Sequence, residues 1–251
     1  MRNLILYITF LLLTGIAGIS PACAQTFSDK PNADTSSKAE VKEIKKDIFD
    51  SLRLGRLGLG RVAFDYAMIG YTRLKTKGLL ANTGILSIID FSLSSAKKRL
   101  FVLDVKNYKL LFVTYVAHGR NSGTSQALYF SNEAESFKSS IGFYLTGATY
   151  SGEHGFSMKL KGYEAGYNDK AEERAIVMHS ADYVSEALIK QQGFIGRSLG
   201  CPALSPEINK QVINKIRNRS CLFIYGASGN YIENSGMLKQ KSKLKNSRFP
   251  A

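Results

Sequence analysis

Phe194-Ile195-Gly196-Arg197-Ser198-Leu199-Gly200-Cys201-Pro202-Ala203-Leu204-Ser205 sets a cysteine between a glycine and a proline. Gly200 has access to backbone angles that a side chain forbids. Pro202 fixes its own φ, offers no N–H, and pushes Cys201 toward an extended conformation. A cysteine on so constrained a turn is either buried structure or an exposed nucleophile. Arg197 and Ser198 stand close by, and a cationic, polar surround lowers a thiol's pKa. Upstream, the apolar run Ala175-Ile176-Val177 ends in Met178-His179-Ser180. That puts His179 at the mouth of a buried strand, where it serves as a base for Cys201.

Outward from this turn the pattern is mostly strands. Ile85 to Phe91 is a continuous apolar run with one acid, Asp90. Leu100 to Val105 and Lys109 to Val116 flank a turn at Lys106-Asn107, and Ile141 to Thr146, Phe156 to Leu160 and Ala175 to His179 add three more. Cys221 to Tyr225 is the last. Ser205-Pro206-Glu207 opens a helix with a serine cap, a proline at the first position and an acid in the first turn. Ile208, Val212, Ile213 and Ile216 give that helix its apolar face. Nearer the start, Val41, Ile44, Ile48 and Leu52 recur at helical spacing from Ala39 to Leu54, and a second helix runs from Arg61 to Leu74. Between them, Gly55, Gly58 and Gly60 form a loop; no lysine-serine pair makes it a phosphate cradle. The fold expected is mainly β with a few helices and an N-terminal helical segment.

The resemblance of these residues to a known family is broad. His179 followed by the Ser-x-Gly-Cys turn resembles the L,D-transpeptidase (YkuD-type) catalytic domain. It is closest to secreted bacterial murein L,D-transpeptidases whose turn reads Gly-Arg-Ser-x-Gly-Cys-Pro-Ala. The segments Ile88-Ile89-Asp90-Phe91-Ser92, Ala117-His118-Gly119-Arg120-Asn121-Ser122-Gly123, Phe130-Ser131-Asn132, Tyr150-Ser151-Gly152-Glu153-His154-Gly155 and Ile176-Val177-Met178-His179 are similar to that subgroup's other signatures. Together they cover roughly residues 40 to 226. The resemblance implies a YkuD-like β-sandwich or barrel, with Cys201, His179, Ser198 and Gly200 as catalytic residues. It implies action on peptide stems of peptidoglycan: acylation of the thiol, then transfer to an amine on a second stem, or to water as an L,D-carboxypeptidase. The broader family carries a histidine just before the glycine and a polar or basic residue two places after the cysteine. Here those positions are Leu199 and Ala203. Arg197 is the candidate to replace them, either as a clamp on a substrate carboxylate or as a pin holding the turn's carbonyls.

His118 and Arg120, in a glycine-rich loop after a strand, are further substrate-binding candidates, with loop building and surface salt bridging as their alternatives. His154 has the same ambiguity. His118, His154 and Cys201 lack the paired spacing of a zinc site, and no metal or cofactor is expected. Cys221 lies in an apolar strand and reads as a small buried hydrophobe, although a Cys201–Cys221 disulfide is the alternative in an oxidising compartment. A wall-binding protein without turnover has no need of Cys201 and His179, and the turn resembles no general cysteine peptidase.

Residues 1–24 read as a signal peptide: a positive start at Arg2, an apolar run from Leu4 to Ile19, and a small-residue site at Ala22-Cys23-Ala24, with cleavage after Ala24. An uncleaved anchor and a lipid on Cys23 are the alternatives. Residues 25–39 read as a flexible linker, 40–80 as the helical segment, 81–226 as the catalytic domain, and 227–251 as a basic, disordered tail. The formal net charge of +14 belongs with an anionic cell wall or membrane surface, and export argues against nucleic acid as the partner.

Overall fold

The computed structural model describes residues 47–239. The expected signal peptide, the expected linker and the start of the first expected helix lie outside the described residues, as does the end of the expected basic tail.

The described chain opens with a short helix, α1 (Ile48–Ser51), a 3-10 turn at Leu54–Leu57, and the long helix α2 (Arg61–Thr76). Strands β1 (Ile85–Asp90), β2 (Leu100–Asp104), β3 (Lys109–Thr114), β4 (Gly142–Gly152), β5 (Gly155–Gly162), β6 (Val177–Ser180), β7 (Ala203–Leu204) and β8 (Cys221–Tyr225) follow, with helices α3 (Glu186–Gln192), α4 (Pro206–Ile216) and α5 (Gly229–Asn234) among and after them. All seven expected strands are present; β4 is longer than read, because it runs on past a bulge into a hairpin with β5. The strands form one sheet in the order β3-β2-β1-β8-β4-β5-β6-β7. Its two ends approach each other: Ala117, just past β3, donates its N–H to the carbonyl of Ala203 in β7 at 2.8 Å. The sheet is therefore nearly closed, as a barrel is.

β1 pairs antiparallel with β2 and parallel with β8, and all six of its residues are buried. A central strand covered on both faces explains an apolar run interrupted only by the buried Ser87 and Asp90. α2 buries Ala63, Phe64, Ala67, Gly70, Tyr71 and Leu74, the three- and four-residue spacing of one helical face. Gly70 is where this helix comes closest, since a Cβ there would lie 2.0 Å from the Phe143 ring. Phe143 in turn stacks on Phe223 of β8 with centroids 4.3 Å apart, worth about 1 kcal/mol beyond the area buried.

Two helices went unread in the sequence. α3 has Ser185 as cap, its Oγ accepting the Leu188 N–H at 3.4 Å, and Gly193 as its left-handed stop, but it buries no residue and has no apolar stripe. α5 falls in the stretch read as a disordered tail. Its Tyr231 is completely buried, and its hydroxyl donates to Glu164 Oε2 at 2.8 Å. Residues 227–239 are thus fastened to the folded domain, Tyr231 by Glu164 67 positions away and the Gly236 and Lys239 carbonyls by Arg73 of α2, partners that no local pattern reveals.

Candidate active site

The Cys201 turn is built on β7. This strand is only two residues long, yet β6 pairs with it in parallel, matching His179 to Ala203 and Ser180 to Leu204, while Ala117 bridges it from the other side. The residues before it are tied down one by one. The Ser198 N–H donates to the His118 carbonyl at 2.9 Å, and the Arg120 N–H donates to the Ser198 carbonyl at 2.7 Å. The Ser198 hydroxyl donates to the Cys201 carbonyl at 2.6 Å and accepts the Gly200 N–H at 3.0 Å. Ser139 Oγ donates to the Gly200 carbonyl at 3.1 Å. Gly200 has φ +128°, and a Cβ there would sit 3.0 Å from both Ile176 Cδ1 and the Lys138 carbonyl. Glycine is required on both counts. Ser198 and Gly200 therefore shape the turn: the serine hydroxyl is engaged inside it, and the Gly200 N–H is not free for substrate.

Cys201 is half-buried. Its Sγ accepts the Val177 N–H at 3.4 Å and lies 3.7 Å from the Ala175 carbonyl. Burial pushes the thiol above its ordinary pKa, against the smaller opposite pulls of the Val177 N–H and the Arg174 charge. This corrects the expectation of a thiol lowered by its polar surround: desolvation outweighs the nearby cation, and the resting group is a neutral thiol.

His179 is buried on β6, and its Nδ1 lies 2.8 Å from the Ser180 carbonyl. A carbonyl only accepts, so Nδ1 carries the hydrogen and Nε2 is the basic nitrogen. Burial is the main cause that lowers the His179 pKa; the hydrogen bond to Ser180 raises it, and His154 lowers it further. The imidazole is thus neutral at neutral pH, a base ready to accept. Cys201, His179, Ser198 and Arg197 line one cavity of about 450 Å³, together with Tyr150, His154, Arg174 and Tyr183.

Two expected substrate contacts are not part of this wall. His118 is completely buried. Its Nε2–H donates to the Gly123 carbonyl at 3.1 Å, and its Nδ1 accepts from Arg99 Nη2 at 2.6 Å. Burial, with the Arg99 charge beside it, pulls its pKa down to about 4. His118 is a neutral structural histidine that supports the turn through its carbonyl. Arg120 lays its guanidinium over the Phe137 ring, 4.3 Å from the centroid, and braces Ser198 through its backbone. The His118 side chain is thus engaged in holding the loop, whereas the exposed Arg120 side chain rests on Phe137 outside the cavity wall.

Arg197 does face the cavity. Its Nη1 makes one long bond, 3.4 Å, to the Gly123 carbonyl, and its guanidinium lies 5.9 Å from the Phe194 ring centroid. Arg174 was not read from the sequence, where it lies in a charged stretch, Glu172-Glu173-Arg174, that looks solvated. Its two terminal nitrogens donate to the Ser131 and Lys138 carbonyls at 2.7 and 2.8 Å and to the hydroxyls of Ser140 and Ser136. It pins the 131–140 loop beside the thiol. Arg99 is likewise absent from the sequence reading. It is wholly buried, donates to the Val116 and Leu93 carbonyls, and packs over Phe91. Cys221 is buried and, like Cys201, not in a disulfide.

The model of the L,D-transpeptidase catalytic domain family matches residues 57–225. Among solved structures, the chain is similar to an L,D-transpeptidase from Mycobacterium smegmatis at 13% identity, over 57% of this chain and 59% of that one, with a TM-score of 0.35. L,D-transpeptidase 3 from Mycobacterium tuberculosis is similar at 12% identity, over 57% and 61%, with a TM-score of 0.37. An L,D-transpeptidase from Stackebrandtia nassauensis is similar at 15% identity, over 66% and 67%, with a TM-score of 0.35. The chain thus spans about three fifths of the first two proteins. No curated protein matches it.

Proposed function

The chain belongs to the L,D-transpeptidase catalytic domain family, and we propose that it is an exported acyltransferase on peptidoglycan peptide stems, with Cys201 as nucleophile and His179 as base. The observation that carries this reading is the fixed tautomer of His179. Ser180 holds Nδ1–H, so Nε2 is the proton acceptor in the cavity that the Cys201 thiol also lines.

The chemistry follows from a neutral pair. As Sγ attacks the carbonyl of a donor stem, the thiol proton moves to His179 Nε2 and the carbon–sulfur bond forms. The developing oxyanion needs donors. The Gly200 N–H is engaged by Ser198 and Pro202 has none, so the Cys201 N–H or a side-chain donor on the cavity wall meets it. Collapse breaks the carbon–nitrogen bond, and His179 returns the proton to the leaving amine. An acceptor amine then gives a proton to His179 and attacks the thioester; the carbon–sulfur bond breaks and the departing sulfur takes that proton from His179, restoring the neutral thiol and imidazole. Water in the place of that amine gives the carboxypeptidase product. Arg197 takes the substrate-clamping role, because its guanidinium lines the cavity with only one weak bond of its own. Residues 1–24 direct export and are removed after Ala24, and the net positive charge of the chain favours an anionic envelope surface.

Purified protein incubated with disaccharide-tetrapeptide muropeptides should release the terminal residue and yield cross-linked or shortened stems by mass spectrometry. No product from the wild-type protein, or undiminished product from Cys201→Ala, contradicts the proposal.

A further inference from the structure

His154 is the exposed partner of the base. It sits with Glu153 at the tip of the β4–β5 hairpin, and its ring stacks on that of His179 with centroids 4.4 Å apart and planes inclined by 26°. The tip has little freedom to place it elsewhere. Gly155 holds φ +71°, and a Cβ on Gly152 would come 2.7 Å from the Tyr150 ring, so the turn between the two glycines is defined from both ends. Ser157 Oγ closes it by donating to the Gly155 carbonyl at 3.1 Å. His154 lines the same cavity as the thiol, while no hydrogen bond of its own fixes its ring.

We propose that His154 is a positioning residue for catalysis, covering the face of the His179 ring from the hairpin tip so that the base is held in orientation and shielded from water. This rests on the reading of Cys201 and His179 as nucleophile and base. The cover has two physical consequences. It supplies part of the burial that favours the neutral imidazole, and a cation on His154 adds like-charge repulsion against protonating His179. The other titratable or charged groups on this cavity wall are Tyr150, Glu153, Arg174, Tyr183, Arg197 and the thiol itself. Among them only Glu153 is an acid, and it shares the hairpin tip with His154.

The test compares wild type, His154→Ala and His154→Phe. Two readouts are followed against pH: muropeptide turnover, and the rate of Cys201 alkylation by iodoacetamide without any peptide. His154→Ala should lower kcat about tenfold or more with KM changed less than about twofold, and should move the acid limb of both profiles upward toward the ordinary histidine value. His154→Phe keeps the stacked ring without the charge; it should recover kcat to within about threefold of wild type and move the limb less. An alanine variant with unchanged limb and kcat, or a phenylalanine variant as impaired as alanine, overturns the proposal. If no muropeptide turns over in wild type yet the alkylation limb shifts as expected, the substrate reading fails while the role of His154 stands.

Discussion

At the scale of single residues the site depends on one proton acceptor and one constrained turn. Burial holds His179 below its ordinary pKa, so its basic form persists to lower pH than a solvated histidine would allow. Turnover should therefore rise through an acid limb placed below the usual 6.5. That limb should vanish in His179→Ala, with a loss on the order of a thousandfold in kcat. A limb at or above the ordinary value would mean that the imidazole is stabilised as a cation, contrary to the neutral pair described above. Arg197 gives a second prediction. Its single 3.4 Å bond to Gly123 is too long to pin the turn, whereas its fork is suited to a carboxylate. Arg197→Lys should raise KM while the thermal midpoint moves little; a clear loss of Tm at constant KM would make it a turn pin. Cys201, His179 and Gly200 were legible as candidates because each stands out as a particular residue type in a particular place. The sequence could not expose the fate of His118. A histidine in a glycine-rich loop looks the same whether it faces a cavity or is buried, and here the neighbours that decide are the Gly123 carbonyl and the Arg99 guanidinium 19 positions away, which no local pattern reveals.

Elements were legible where their residues repeat with a period, and obscure where one long-range contact carries them. The face of α2 and the runs of β1 and β8 were open to reading for that reason, whereas α3 and α5 were not. α5 is fastened through Glu164. This buried carboxylate accepts the Phe143 N–H at 2.8 Å, the Tyr231 hydroxyl at 2.8 Å and the hydroxyl of Ser235. Even with those donors, burial raises its pKa above the ordinary value. The folded state then binds its proton more tightly than the unfolded chain does. The stability linked to this proton is present in full below the unfolded carboxylate value of 4.5 and is lost as pH rises through the raised one. Glu164→Gln cannot titrate. Urea midpoints of the two proteins, taken from about pH 4 to 8, should show wild type losing stability relative to the glutamine variant as pH rises. Parallel curves would show that the carboxylate is not raised. Tyr231→Phe removes one donor to the same oxygen and should cost about 1–2 kcal/mol, read as a lower urea midpoint.

For the molecule as a whole, the nearly closed sheet explains how two distant segments make one site. β7 is too short to stand alone, and it holds the Cys201 turn only because β6 and Ala117 flank it. β6 brings His179 with it, and the β4–β5 hairpin adds its tip from further round the sheet. The proposed reaction requires this assembly to form a thioester at Cys201 with a peptide stem. Intact-protein mass spectrometry after brief incubation with a disaccharide-tetrapeptide tests it most directly. Wild type should gain the mass of the donor less its terminal residue, localised to Cys201, and Cys201→Ala should gain nothing. An adduct that persists in Cys201→Ala, or a wild-type protein that releases the terminal residue with no adduct ever forming on Cys201, would rule out Cys201 as the acylated nucleophile.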